Sequence, residues 1–134
     1  MKHAIGIDLG GTNIKGALVE RVDGRVVEVR STPTRDGEWE GDVPRFAIGV
    51  GHLVAELESL ADEGDLEVGL SAPGLADLSG RCIDWMPGRM DGLERFDWEA
   101  FLNRRAMVLN DAHAALLGEV WTGAAKGCRH AFML

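Results

Sequence analysis

Two alternating apolar stretches meet at a pair of glycines within the first twelve residues: AIGIDL runs into Gly10-Gly11-Thr12-Asn13, and IKGALVE resumes beyond it. Alternation with a period of two reads as half-buried strand, and the glycine pair folds the second strand back on the first. A third β-branched stretch, RVVEVRSTP, follows Asp23-Gly24, a strong hairpin signal because both central positions of the favoured two-residue turn need positive φ. The chain therefore opens on three antiparallel strands. The glycine pair is neither GxxxxGK[ST] nor GxGxxG, so it matches neither the P-loop nor the dinucleotide fingerprint.

Helical spacing follows the strands. The polar run from Thr34 to Gly41 reads as a loop, and Asp42 as the cap of a helix with Pro44 in its first turn. Phe46, Val50, Leu53, Leu57 and Leu60 form the apolar face, Gly64 is the stop, and Gly49 and Gly51 imply close packing. LEVGLSAPG then reads as a buried strand, and DLSGRCIDWMPGRMDGLERF as an irregular, glycine-rich insertion with short extended pieces. Asp97 caps a short helix through Leu102, AMVLND is a further strand, and DAHAALLGEVWTGAAKG is an amphipathic helix ending near Gly123 to Gly127. The final HAFML has the character of a strand that has just begun. No internal repeat interrupts this order.

The length of 134 residues suits a single domain with its own core, and 46% apolar with 27% charged residues excludes a disordered chain. A net charge of −8 argues against a nucleic-acid partner, which needs a positive footprint. No segment offers the ~20 apolar residues of a membrane span, and the N-terminus lacks a secretion pattern, so the expectation is a cytoplasmic protein with no membrane partner. Cys82 and Cys128 stand far apart and outside any zinc-ligand spacing, so both read as buried or half-buried thiols and no zinc site is expected.

Chemistry concentrates at the glycine pair. Two residues without Cβ let backbone N–H groups approach an oxyanion, Thr12 adds a hydroxyl donor, and Lys15 follows three residues later. Asp8, at the strand end, is placed to hold Mg²⁺ through water, since magnesium takes a carboxylate and keeps part of its hydration shell. The same residues also fit an ordinary Gly-Gly turn in which Asp8 and Thr12 satisfy only the backbone.

The stretch GIDLGGTNIKGALVE resembles the first phosphate motif of the sugar-kinase, actin and chaperone-ATPase superfamily, most closely in its ROK-family form. LSAPGLADLSGR resembles that family's substrate-loop segment, and VLNDAHAALLGE its Asn-Asp segment, so three ordered motifs cover nearly the whole chain. The resemblance implies an RNase H-like (actin-like ATPase/sugar kinase) α/β domain with a mixed five-stranded sheet flanked by helices. Residues 1–112 would form this N-terminal domain, and residues 113–134 a hinge helix and the first strand of a C-terminal domain that the chain does not include.

The resemblance also assigns roles. Asp111 would be the catalytic base and Asn110 a sugar-binding neighbour, with Gly80 and Arg81 at weaker sugar-binding positions. Asp8, Gly10, Gly11, Thr12, Asn13 and Lys15 would line the nucleotide phosphates, with ATP and Mg²⁺ as cofactors and polyphosphate as an alternative donor. The reaction implied is phosphorylation of a hexose such as glucose, or of an amino sugar. A base at Asp111 is chemically reasonable, because a carboxylate can accept the proton of an attacking hydroxyl while Mg²⁺ and backbone donors stabilise the phosphoryl group. Capping of the last helix is the competing use of Asp111.

The sequence departs from the family at WMPGRMDG, where Met86 stands at a position that commonly holds asparagine, and at His113, often asparagine there. Neither His113 nor Glu119 is assigned a role. Some ROK proteins are sugar-responsive regulators with a DNA-binding segment ahead of the phosphate motif; here that motif starts within ten residues and the charge is acidic, which disfavours this alternative. A non-catalytic sugar-binding remnant is the other alternative. The 134 residues alone are expected to be inactive, with half a cleft, and to self-associate as a homo-oligomer through exposed apolar residues of the C-terminal region.

Overall fold

The computed structural model describes every residue from Met1 to Leu134. Strands β1 (His3–Leu9), β2 (Asn13–Glu20) and β3 (Val26–Pro33) form an antiparallel meander. A short ribbon of β4 (Trp39–Glu40) and β5 (Val43–Pro44) leads into helix α1 (Arg45–Glu58). Strand β6 (Val68–Ala72) then joins β1 in parallel. The ribbon of β7 (Leu75–Ala76) and β8 (Ile83–Trp85) and helix α2 (Trp98–Leu102) follow. Strand β9 (Ala106–Asn110) closes the sheet parallel to β6 and passes directly into α3 (Asp111–Thr122). The main sheet has five strands in the order β3-β2-β1-β6-β9, mixed as the sequence reading expects.

The two faces of this sheet differ. Ile5, Ile7 and Leu9 of β1 with Ile14 and Leu18 of β2 point to one side, where Phe46, Val50, Leu53 and Leu57 of α1 bury them. The close approach requires small residues: a Cβ on Gly49 would lie 3.3 Å from Ile14 Cδ1, whereas Gly51 has only an ordinary 3.7 Å neighbour in Phe101. On the other face the alternate positions are Gly6, Asp8, Lys15, Ala17, Gly69 and Ser71, and only α3 leans over them. No residue of α3 is buried.

Several boundaries differ from expectation. The β2–β3 connection spans five residues, not a two-residue turn: Glu20 N–H donates to the Arg25 carbonyl at 2.9 Å, Asp23 Oδ1 accepts from Arg25 N–H, and Gly24 supplies the positive φ of 75°. Asp42 does not cap α1. The β4–β5 ribbon places Pro44 at the cap position with no side-chain cap bond, and the Glu38 carbonyl accepts from Arg45 N–H at 2.9 Å in its stead. The helix ends at Glu58 and not near Gly64: the Ser59 hydroxyl donates to the Glu56 carbonyl at 2.6 Å, and the Glu58 carboxylate accepts from the Leu66 N–H and the Arg104 guanidinium. Leu60 thus leaves the apolar face and is half exposed, while Leu66 takes a fully buried place.

At the other end, HAFML forms no strand, for no neighbouring strand offers it hydrogen bonds, and Phe132 is 82% exposed. Cys128 is exposed rather than half-buried; Cys82 is intermediate, and its thiol pKa is raised, chiefly by burial.

Candidate active site

The three parallel strands β1, β6 and β9 all end at the same edge of the sheet, and nearly every residue singled out from the sequence lies there or in the loops beyond it. In α/β sheets this carboxyl edge is where ligands bind. The register aligns Asp8 with Ser71 and Ser71 with Leu109, so Asn110 and Asp111 start two strand spacings, roughly 10 Å, from Asp8.

The glycine turn is closed from within and held from without. Gly10 N–H donates to the Asn13 carbonyl at 3.1 Å, and a Cβ on Gly10 would sit 2.7 Å from that same oxygen. Gly10 is thus needed to close the turn. Thr34, the one fully buried polar residue, clamps it from the end of β3: its hydroxyl donates to the Gly10 carbonyl at 2.7 Å and its N–H to the Thr12 carbonyl at 2.9 Å. The sequence reading missed Thr34, and no signal distinguishes it from any other threonine at a strand end.

Clamped in this way, the turn leaves the N–H groups of Gly11 and Thr12 and the Thr12 hydroxyl without a protein acceptor, while all three residues from Gly11 to Asn13 are exposed. The only atom near a Cβ built on Gly11 is Nη1 of Arg89, at 3.0 Å. Arg89 belongs to the WMPGRMDG segment and was also missed.

Asp8 and Lys15 are cross-strand partners on the open face. Asp8 Oδ1 accepts from the Ser71 hydroxyl at 2.8 Å, and its second oxygen is unengaged. One carboxylate oxygen free toward solvent fits a magnesium ion held through water, which needs no cluster of protein ligands. No group of three or more His, Cys, Asp or Glu side chains gathers anywhere in the chain to enclose a metal by itself.

Asn110, not Asp111, caps α3. Its Oδ1 accepts from Ala112 N–H at 3.0 Å and His113 N–H at 3.3 Å, and its Nδ2 donates to the Gly74 carbonyl at 2.7 Å, tying the loop after β6 to the helix. One amide hydrogen of Asn110 remains for a ligand. Asp111 is the first residue of the helix: one carboxylate oxygen accepts from Ala112 N–H at 2.8 Å and the other is unengaged. Two adjacent polar residues thus divide the work, the amide ordering the backbone and the exposed carboxylate keeping a free oxygen at the sheet edge.

Gly80 and Arg81 are occupied by structure. Gly80 has φ of 72°, its carbonyl accepts from Val108 N–H at 2.7 Å, and a Cβ there would lie 2.7 Å from Met107 Cγ. Asp77 organises this turn through the Ser79 hydroxyl and the N–H groups of Arg81 and Cys82, and these bonds, the Ser79 hydroxyl first, hold its carboxyl below the usual range. The Arg81 guanidinium pairs with Asp97, the cap of α2, and no hydrogen bond or ion pair links it to Asn110 or Asp111. The Ala100 N–H and then Arg81 lower the Asp97 pKa.

A cleft of about 750 Å³ runs between the open sheet face and α3, with Met107, Leu109, Leu117 and Trp121 among its apolar walls. It shares Asp8 and Lys15 with the site, but Gly10, Gly11, Thr12, Asn110 and Asp111 do not line it. The polar chemistry sits on the sheet edge beside the cleft.

This chain is similar to sugar kinases. The N-acetyl-D-glucosamine kinase of Vibrio vulnificus (strain YJ016) is 32% identical over 120 residues, covering 87% of this chain and 37% of the kinase. The glucokinase of Thermotoga maritima is 32% identical over 131 residues, covering 94% of this chain and 39% of the enzyme. Among solved structures, the inorganic polyphosphate/ATP-glucomannokinase from Arthrobacter sp. strain KM superimposes with a TM-score of 0.77 at 30% identity, over 96% of this chain and 51% of that one. The chain therefore spans about half or less of the length of these relatives, and its α/β sheet is the actin-like ATPase fold of the sugar kinases. The model of the ROK family matches residues 4–134, and the chain belongs to that family.

Proposed function

We propose that these residues are the N-terminal, phosphate- and sugar-binding half of an ATP-dependent sugar kinase whose acceptor is a hexose such as glucose or an amino sugar. The observation that carries the reading is the pairing, on one sheet edge, of a clamped turn with two unpaired amides and a helix-start carboxylate with one free oxygen. The amides of Gly11 and Thr12, with the Thr12 hydroxyl, offer donors for phosphate oxygens. Lys15 adds a positive charge on the open face; Asn13 continues the turn into β2. Asp8 would hold Mg²⁺ through water, and that ion would neutralise charge on the phosphates. Asp111 would take the proton of the sugar hydroxyl, with the remaining Asn110 hydrogen available to the sugar. Gly80 and Arg81 would reach a sugar only indirectly, through the loop they brace.

ATP as donor is supported by the family and by the glucomannokinase, whose name gives both polyphosphate and ATP. No helix is long and apolar enough to cross a membrane, and a cytoplasmic location belongs to this reading. So does the division into residues 1–112 as the working domain and 113–134 as a hinge leading to a second one, which suits a helix α3 that buries no side chain. On this account the 134 residues alone do not turn over sugar, because phosphoryl transfer needs both reactants positioned and water excluded.

The test is Asp111→Asn in a two-domain enzyme that carries this N-terminal half. Loss of a general base costs about 10²–10⁴-fold in kcat, with the sugar KM little changed. A near-normal kcat would leave Asp111 as a structural residue and remove the mechanism.

A further inference from the structure

We propose that Arg89 is a phosphate-binding residue of the glycine turn, its guanidinium closing over an oxyanion of the phosphoryl donor that the Gly11 and Thr12 amides hold. This rests on the reading of the turn as a phosphate cradle and adds to it a residue from a distant loop. Nη1 lies 3.0 Å from the Cβ position of Gly11, so the guanidinium rests directly on the residue whose N–H is unpaired. Any side chain at position 11 would displace it, which gives the second glycine of the pair a purpose that turn closure does not require.

The loop keeps this guanidinium free. Two acidic neighbours are engaged with backbone: both oxygens of Asp36 accept from Met90 N–H, at 3.0 and 3.3 Å, and Glu94 Oε1 accepts from Met86 N–H at 2.8 Å; Asp91, in the same loop, makes no hydrogen bond and no ion pair with Arg89. Arg89 itself makes no ion pair and no hydrogen bond, in contrast to Arg25, Arg30, Arg81 and Arg104. The segment is also anchored. Met90, next in sequence, is 1% exposed, Leu93 is fully buried and donates to the Met90 carbonyl at 2.9 Å, and Gly92 packs beneath the Trp39 ring. The backbone that carries the cation is already ordered, so binding has only the side chain to fix, and a planar guanidinium matches two phosphate oxygens at once. In a chain with net charge −8, a local cation at the turn also offsets the general repulsion of an anion.

The shared chemistry is a phosphate chain, which a nucleotide or a polyphosphate can supply. The experiment titrates the ¹⁵N-labelled 134-residue chain with tripolyphosphate and, separately, with Mg·AMPPNP, following the Gly11 and Thr12 amides and the Arg89 Nε–H. Arg89→Ala, Arg89→Lys and Arg105→Ala are compared, the last removing an equal charge beside Glu67 at the opposite end of the parallel strands. Expected is a rise in Kd of about tenfold for Arg89→Ala with at least one probe, a smaller rise for Arg89→Lys, and none for Arg105→Ala. Which probe loses affinity identifies the donor. If Gly11 and Thr12 respond but Arg89→Ala binds as the parent does, or Arg105→Ala loses as much, the role of Arg89 is overturned and the cradle stands. If neither amide responds to either probe, the cradle fails and Arg89 with it.

Discussion

Thr34→Val isolates the clamp on the glycine turn. The two side chains have nearly the same shape, so in this fully buried position the change leaves no cavity and exchanges one hydroxyl for a methyl. What is lost is the 2.7 Å bond to the Gly10 carbonyl; the Thr34 N–H to Thr12 carbonyl bond remains. A made hydrogen bond contributes about 0.5–1.5 kcal/mol net, and a buried acceptor left without a donor costs about 1–3 kcal/mol. Gly10 is half-buried, so water reaches its carbonyl in part and the expected loss is about 1–2 kcal/mol. With a urea m-value of about 2 kcal/mol/M, the unfolding midpoint, read from tryptophan fluorescence with Trp98 buried in the core, should fall by roughly 0.5–1 M. Hydrogen exchange at the Gly10 amide, which closes the turn onto Asn13, should accelerate beyond the global change, and Thr34→Ser should restore its protection. An unchanged midpoint together with unchanged exchange at Gly10 would refute the clamp.

Two other predictions address the rest of the chain. Glu58 is held below the ordinary glutamate range first by its hydrogen bond from Arg104, with Leu66 N–H adding to it; both side chains of the pair are less than a fifth exposed, at 19% and 16%. A depressed carboxylate stabilises the fold above its unfolded value of about 4.3 and stops doing so as pH falls through the folded value. Glu58→Gln should therefore cost about 1–3 kcal/mol at neutral pH and progressively less below about pH 4; a pH-independent difference in unfolding free energy would contradict this. Leu117 and Trp121 on α3 are about half exposed, and they are expected to drive self-association, so sedimentation velocity should show a concentration-dependent species that Leu117→Glu weakens by about tenfold or more. A monomer at every concentration would count against this.

What was legible in the sequence was local or carried by spacing. Alternation over AIGIDL and IKGALVE is a period-two signal that backbone geometry imposes on any half-buried strand, so β1 and β2 and their antiparallel pairing followed directly. The Asp97 cap of α2 is a side chain bonding three residues ahead, visible for the same reason. The three family motifs are contiguous stretches, and the family followed from them. The helix start was less legible, because the bond that meets it comes from outside the helix: the Glu38 carbonyl takes the Arg45 N–H in place of an Asp42 cap.

The site divides in the same way. Residue types in sequence determined that a Gly-Gly-Thr turn and an Asn-Asp pair exist; only the parallel packing of β1, β6 and β9 decided that they share one edge. Asn110 rather than Asp111 became the cap because its amide reaches both the helix amides and the Gly74 carbonyl, a contact across 36 positions. Thr34 and Arg89 carry no mark in the sequence at all. Their roles arise from hydrogen bonds and close approaches between segments more than twenty residues apart, and such contacts exist only once α1, the sheet and the β7–β9 insertion have packed together.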